Sequence, residues 1–315
     1  MSRIITLTVN PAIDKNTTVA GIRPNSKLRC TEPTFDAGGG GINVSRAIQN
    51  LGGSSLCSYF AGGPTGAFLK HLLDEKNIEQ SIIEIEGFTR ENLAVTDTST
   101  NQQFRFGMPG PSIKKVEWQN GLKQLELQLE KDDYLVASGK LPPNVPDDFY
   151  VKVSQIAEKK EAKFILDTSG EPLLKAANSK VYMLKPNLAE LGMLCNEPSI
   201  TDLKLKSLAK TFLEHNDCKI LVVSLGPKGA LLATKEEMIQ IPAPVVHQKS
   251  TIGAGDSMVA GMVMSLIWER SFSDMVRYGV ACGTAATMHH GTQLCFKKDA
   301  DKLYEWIKKQ KSIKE

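Results

Sequence analysis

Short apolar runs alternate with longer amphipathic stretches along most of this chain, and that rhythm leaves few architectures open. Ile4–Val9, Ser55–Phe60, Tyr134–Ala137, Phe164–Leu166 and Ile220–Val223 are short, apolar and flanked by turn residues, as buried strands are. Between them, Gly41–Leu51, Ala67–Glu75, Val116–Glu130 and Asp147–Glu158 carry the spacing of helices with one apolar face. A β-α-β-α order predicts a largely parallel sheet covered by helices on both faces, because parallel neighbours need a long crossover. After Pro244 the pattern is mostly helical. Two stretches break the rhythm. Asn10–Phe35 and Gly87–Pro109 hold strand-like alternation without helices: Lys27 and Arg29 against Leu28 and Cys30, and Arg105 against Phe104 and Phe106. They predict a small sheet standing off the main body, charged on one side and apolar on the other.

With 315 residues the chain can form one large α/β domain or two smaller ones. A net charge of +3 gives no reason to expect a nucleic-acid or membrane partner. Six scattered cysteines with no Cys-x-x-Cys pair predict free thiols and a reducing compartment. No His-Glu-x-x-His occurs, so a protein-held zinc is not expected. Met1–Asn10 lacks a charged n-region followed by an apolar core, and Met258–Trp268 is too short to cross a bilayer. The expected compartment is the cytoplasm.

The sharpest chemical signal is Ser250-Thr251-Ile252-Gly253-Ala254-Gly255-Asp256, followed by the apolar run Met258–Trp268. Glycines before a helix let backbone N–H groups approach an anion, and the electropositive helix start favours it. Asp256 in the first turn then stands beside that anion. Phosphoryl transfer needs such a pairing, of donors for developing charge and a carboxylate for the proton of the attacking hydroxyl. A helix start with a first-turn Asp would account for the same residues, but a Walker loop would not, since Gly-Lys-Ser/Thr is missing. Gly38-Gly39-Gly40-Gly41-Ile42-Asn43 suggests a second close backbone approach, with an amide suited to sugar hydroxyls. Lys185-Pro186-Asn187-Leu188-Ala189-Glu190 reads as a capping box, or as residues facing phosphates and magnesium. Ser224–Ala230 reads as a tight hairpin or a nucleotide contact.

Together, in this order, these motifs resemble the PfkB family of carbohydrate kinases over essentially the whole chain. Lys27-Leu28-Arg29-Cys30, Gly38–Arg46, Met108-Pro109-Gly110, Ser224–Ala230, Ser250–Met258 and Gly291-Thr292 bring it nearest the branch that phosphorylates fructose 6-phosphate. The resemblance implies a ribokinase-like fold over residues 1–315: a three-layer α/β/α domain with a mainly parallel sheet, plus a small β-sheet lid from insertions near 10–35 and 87–109. It implies ATP as donor and the 1-hydroxyl of fructose 6-phosphate as acceptor. Tagatose-6-phosphate kinase, 1-phosphofructokinase and a non-catalytic sugar-phosphate sensor are the alternatives.

By position, the resemblance makes Asp256 the base, with Gly253, Ala254 and Gly255 as the anion hole. Asp14, Gly39, Asn43, Arg90 and Arg105 would bind the sugar phosphate. Lys27, Lys185, Asn187, Ser224, Gly226 and Gly229 would face ATP, and Glu190 would help place Mg2+. Backbone oxygens of Ser250, Ile252, Ala286 and Gly291, with His289 nearby, would hold a monovalent cation such as K+. The chain departs from the pattern at Lys140, where a serine is expected beside the substrate, and at His289 and Gln293, where Asn and Arg are expected. Lys140 is accordingly expected at the substrate. Apolar faces at Leu28, Leu93, Val95, Phe104 and Phe106, on strands too few to build a core of their own, predict a homodimer through the lid.

Overall fold

The computed structural model describes residues 2–289 and 291–310. Thirteen strands and ten helices follow one another among these residues. The large sheet takes β1 (Ile4–Thr8), β4 (Leu56–Ala61), β5 (Gln80–Glu84), β8 (Tyr134–Ser138), β9 (Lys163–Asp167), β10 (Val181–Leu184), β11 (Cys218–Ser224), β12 (Ala230–Ala233) and β13 (Met238–Ile241). Its order is β13-β12-β11-β10-β9-β8-β1-β4-β5. Every pairing from β11 to β5 is parallel; β12 and β13 close one edge antiparallel. The helices are α1 (Gly40–Asn50), α2 (Gly63–Asp74), α3 (Lys115–Gln128), α4 (Phe149–Lys159), α5 (Glu171–Ala176), α6 (Leu188–Leu194), α7 (Asp202–His215), α8 (Ala254–Ile267), α9 (Phe272–Thr287) and α10 (Lys297–Lys309).

The pleat explains why the central strands are apolar throughout. Ile4, Val136, Ile165, Met183, Ile220 and Val222 point into one core, packed by α1, α8, α9 and α10. Their chain neighbours Ile5, Leu135, Phe164, Leu184, Leu221 and Val223 point into the other, packed by α3, α4 and α7. A strand buried on both faces has no polar side to show. The C-terminal face is built on α8, whose residues Ser257–Leu266 are all buried. None of the described helices is long and apolar enough to cross a membrane.

A second sheet, ordered β3-β2-β6-β7, contains β2 (Ala12–Val19), β3 (Thr34–Gly38), β6 (Arg90–Asp97) and β7 (Gln102–Phe106). The alternation expected over Lys27–Cys30 is not a strand. Residues 20–33 form an irregular loop, punctuated by Gly21, Pro24 and Pro33 and drawn back by the Thr31 N–H to the Thr18 carbonyl, 3.0 Å. Residues 311–315, the end of the Lys-rich tail, lie outside the described residues. All six cysteines are free, and only Cys30 is exposed.

Candidate active site

Chain order runs outward from β1 in both directions, toward β4 and β5 on one side and toward β8–β11 on the other. At such a reversal the carboxyl ends of the strands leave a crevice. The start of α1 drops into it. A side chain at Gly41 would begin 2.6 Å from the Leu7 carbonyl oxygen, and one at Gly40 2.7 Å from the Ser138 carbonyl carbon, so only glycine lets the helix sit this close. Ser138, Asp167, Lys185 and Ser224, all at or just past strand ends, ring the same crevice.

Asp256 enters from α8. Gly253, in the left-handed region at φ 70°, turns the chain into the helix. In the first turn the Ala254 N–H makes only a long contact to the Thr251 carbonyl, 3.4 Å, and those of Gly255 and Asp256 have no carbonyl four residues back and are aimed out of the helix start. The Asp256 carboxylate accepts from Asn43 Nδ2 at 2.9 Å and, weakly, from Ser138 Oγ at 3.5 Å. Burial and the charge of Asp167 push its pKa up to about 6, against Asn43, Lys185 and Ser138, which favour the ionised form. Lys185 is buried and ion-paired with Asp167 at 3.1 Å. Burial works against its charge, yet Asp167, with Asp256 and Glu190 beyond, holds its pKa above the ordinary lysine value. Its ammonium lies 3.7 Å from where a side chain at Gly255 would begin, so a cation adjoins the helix start. This is a site with a half-buried carboxylate of near-neutral pKa, outward N–H groups and a fixed positive charge in one crevice.

Two cavities open from it. One, of about 470 Å³, is lined by Ser224, Gly226, Gly229, Thr251, Ala254 and Gly255, among apolar neighbours from α8 and α9. The segment Ser224–Ala230 is both things the sequence allowed, a hairpin from β11 to β12 and part of this cavity's wall. Beside it Asn187 bridges to Ser224, and the full capping box forms at the start of α6: Asn187 Oδ1 accepts from the Glu190 N–H at 2.9 Å, and Glu190 Oε2 from the Asn187 N–H at 2.8 Å. Burial, with Asp167 nearby, raises the pKa of Glu190. Lys27 is exposed in the 20–33 loop and is not part of this wall.

The second cavity, about 410 Å³, lies between the lid and the large domain and is lined by Asp14, Asn92, Arg105, Ile252 and Thr292 among others. Asn92 Nδ2 donates to Asp14 Oδ1 at 2.8 Å, and burial raises the pKa of Asp14 despite that bond. Arg105 is exposed at the cavity mouth. Arg90 is differently employed. Its Nε, Nη1 and Nη2 donate to the carbonyls of Pro11, Met108 and Asn10 at 3.3, 2.9 and 3.0 Å, stapling the lid to its base. Gly39, at φ 114°, backs onto Pro11 and Thr8. Lys140 is exposed on the loop after β8 and does not line this cavity; its charge is felt at Glu190 instead.

The two segments expected to hold a monovalent cation are cross-linked: Ser250 Oγ donates to the Gly291 carbonyl at 2.9 Å, and the Lys249 N–H to the Thr287 carbonyl at 2.8 Å. Of the four carbonyls expected there, that of Gly291 accepts from Ser250 Oγ and that of Ala286 from the His289 N–H at 3.2 Å. The His289 ring is committed elsewhere, with Nε2 3.1 Å from Asp299 and the ring edge-on to Phe296. No group of three or more metal-binding side chains occurs among the described residues.

A model of the pfkB family carbohydrate kinases matches residues 6–299. The chain belongs to the pfkB family of carbohydrate kinases. Among relatives of this pfkB-family kinase, the ATP-dependent 6-phosphofructokinase isozyme 2 of Escherichia coli (strain K12) is 41% identical over 308 residues, 98% of this chain and 99% of that protein. The phosphofructokinase-2 structure from Escherichia coli in complex with potassium superposes with a TM-score of 0.95 at 41% identity, covering 98% of this chain and 100% of that one. The same enzyme in complex with fructose-6-phosphate gives 0.91 at 40% identity, with the same coverage. The fold expected from the sequence, a ribokinase-like α/β body with a smaller sheet, is the one observed.

Sequence reading of this kinase passed over Asp167, Asn92, Arg46 and Asp36. Asp167 had a usable signal, a carboxylate directly after the apolar run Phe164–Leu166, where α/β proteins place ligand-facing groups. Asn92 meets Asp14 across 78 positions and Asp36 meets Thr292 across 256, whereas the partners of Arg46, namely Asn43, Ala37 and Asp36, lie within 10 residues of it.

Proposed function

We propose that this chain transfers the γ-phosphoryl of ATP to the 1-hydroxyl of fructose 6-phosphate, giving the 1,6-bisphosphate and ADP. The observation that carries it is Asp256, whose raised pKa suits it to take a proton near neutrality, placed in the first turn of α8 beside Asn43, directly after a turn whose Ile252 lines one cavity and whose Thr251, Ala254 and Gly255 line the other. The relatives named for this activity support the choice of acceptor. In this reading ATP lies along the 470 Å³ cavity with its terminal phosphate at the N–H groups of Gly253, Ala254 and Gly255. Lys185 neutralises charge there, and Ser224, Gly226, Gly229 and Asn187 hold the nucleotide. The sugar phosphate lies under the lid, its hydroxyls read by Asp14, Gly39 and Asn43 and its phosphate by Arg105, with the free donors of Arg90 behind. Asp256 accepts the hydroxyl proton as the oxygen attacks in line. Glu190 would help hold magnesium, which would offset phosphate charge, and the carbonyls of Ser250, Ile252, Ala286 and Gly291 would hold a monovalent cation. The lid keeps water from competing as acceptor.

An ADP-release assay with fructose 6-phosphate, tagatose 6-phosphate and fructose 1-phosphate tests the reading. Fructose 6-phosphate should give the highest kcat/KM. A higher value for either rival reassigns the substrate, and no ADP from any of them leaves a sugar-phosphate sensor.

A further inference from the structure

Asp256 takes its one close hydrogen bond from Asn43, and an amide has two unlike ends. Its NH2 group stabilises a carboxylate; its oxygen would repel one, or require it to be protonated. What decides the orientation lies on the far side of Asn43, away from the crevice. Asn43 Oδ1 is 3.4 Å from Arg46 Nη1, one turn along α1. A guanidinium carries only donors, so it can face the amide oxygen and not the NH2. Arg46 is itself held on several sides. Nη1 donates to the Ala37 carbonyl at 2.6 Å, and Nη2 to Asp36 Oδ1 at 2.8 Å. The other oxygen of Asp36 accepts from Thr292 Oγ1 at 2.5 Å. The guanidinium side chain is only 13% exposed, so this is an enclosed contact rather than a surface pair. The line runs from Thr292, next to Gly291, through Asp36 on β3 and Arg46 on α1, to Asn43 and Asp256.

We propose that Arg46, clamped by Asp36 and Thr292, is a positioning residue that fixes the Asn43 amide with its NH2 end toward Asp256. The inference rests on the reading of Asp256 as the base. The arrangement has a physical purpose. Burial and Asp167 already push the Asp256 pKa to about 6; the Asn43 donor, with Lys185 and Ser138, keeps it from rising further and leaving the base protonated at neutral pH. Those four side chains are the groups that face the carboxylate, from β8, β9, α1 and the chain after β10. Arg46 acts on it only through Asn43.

The test is the pH profile of kcat for Arg46→Met, Arg46→Lys and Asp36→Asn, with a Tm for each. In Arg46→Met the acid limb should move up by about half to one pH unit, with the loss of kcat larger at pH 6 than at pH 8 and KM for ATP little changed. Arg46→Lys, which keeps the charge and its attraction to Asp36, should recover part of the shift. Asp36→Asn should show a smaller shift in the same direction, and serves with Arg46→Lys if Arg46→Met does not fold. In an Asn43→Ala background, Arg46→Met should no longer move the limb. An unmoved limb in Arg46→Met and Asp36→Asn overturns the inference, as does an equal shift with and without Asn43. An Asp256→Asn enzyme that stays active overturns instead the base assignment beneath it.

Discussion

Replacing Asp256 by Asn should abolish most turnover and at the same time make the protein more stable at neutral pH. The two effects have one source. General-base loss costs on the order of 10² to 10⁴ in kcat. The shape is nearly conserved, so affinity for both substrates should stay within a few-fold. The stability gain follows from the carboxylate's environment. Its pKa stands at about 6, against 3.8 for an ordinary Asp, because burial and Asp167 disfavour the charge. A raised carboxylate binds its proton more tightly in the native state. Its favourable contribution is therefore complete below pH ~4 and is lost as pH rises through about 6. Above that, the group is ionised in both states but is disfavoured only in the native one. A rise from 3.8 to about 6 corresponds to about 3 kcal/mol as an upper bound; a crevice open to solvent reduces this to about 1–2 kcal/mol.

Asparagine removes that charge while leaving an oxygen for the Asn43 donor. Calorimetry of the two proteins should show Asp256→Asn melting roughly 2–5 °C higher at pH 7.5. The difference should fall to about half at pH 5, where the native carboxyl is mostly protonated. A variant retaining half of the wild-type kcat would refute the base assignment. An inactive variant melting lower than wild type at pH 7.5 would refute the claim that burial and Asp167 set the pKa, because it would mean that the ionised group is a net stabiliser through Lys185.

Other expectations concern the walls of the two cavities. Arg105→Met should raise KM for the sugar phosphate tenfold or more while KM for ATP moves little, since a guanidinium fork matches phosphate oxygens; equal changes in both would place the phosphate anchor elsewhere. Lys140→Ser should leave KM for the sugar phosphate within about twofold, because Lys140 lies outside the lid cavity and its charge reaches Glu190. It should lower the magnesium needed for half-maximal rate at low salt, and a several-fold rise in sugar-phosphate KM would return Lys140 to the substrate. Phe106, 49% exposed on the lid beside Phe104 at 38%, should lie in a dimer interface, so light scattering should find a dimer for the wild type and a monomer for Phe106→Asp; a wild type that is monomeric and fully active at micromolar concentration counts against it.

The parallel body was readable from periodicity because its strands are buried on both sides. Tyr134–Ala137 and Ile220–Val223 have no polar positions that could mimic a helix, and each was found within a residue or two of its observed limits. What escaped was of two kinds. β5 and β13, at the two edges of the sheet, are short and only partly buried, and β10 and β12, inside it, are four residues each, so none leaves a long apolar run. The Lys27–Cys30 segment has a perfect two-residue alternation and is not a strand, since alternation matters only where two faces see different surroundings; this loop is exposed on nearly all sides.

The site divides along the same line. Gly253–Asp256 was legible because its chemistry is contiguous: the turn, the N–H groups and the carboxylate all follow from consecutive residues at one helix start. Arg90 shows the limit of that kind of reading. An arginine on a lid strand is an obvious phosphate ligand by residue type, yet three of its donors are spent on the carbonyls of Asn10, Pro11 and Met108, groups that need a cation only because the lid's base folds back on itself. Arg46 is the converse. One turn beyond Asn43, at the end of the motif Gly38–Arg46, it is assigned no role by the sequence, and its partner Asp36 on β3, 10 residues back, is in turn held by Thr292. The residues proposed to perform the chemistry therefore lie within short motifs, whereas several of those that would orient them are defined by strand order. In this fold the two meet within one glycine motif: Asn43 donates to Asp256, while Arg46 at the motif's end is held by Asp36 and, through it, Thr292, both outside the motif.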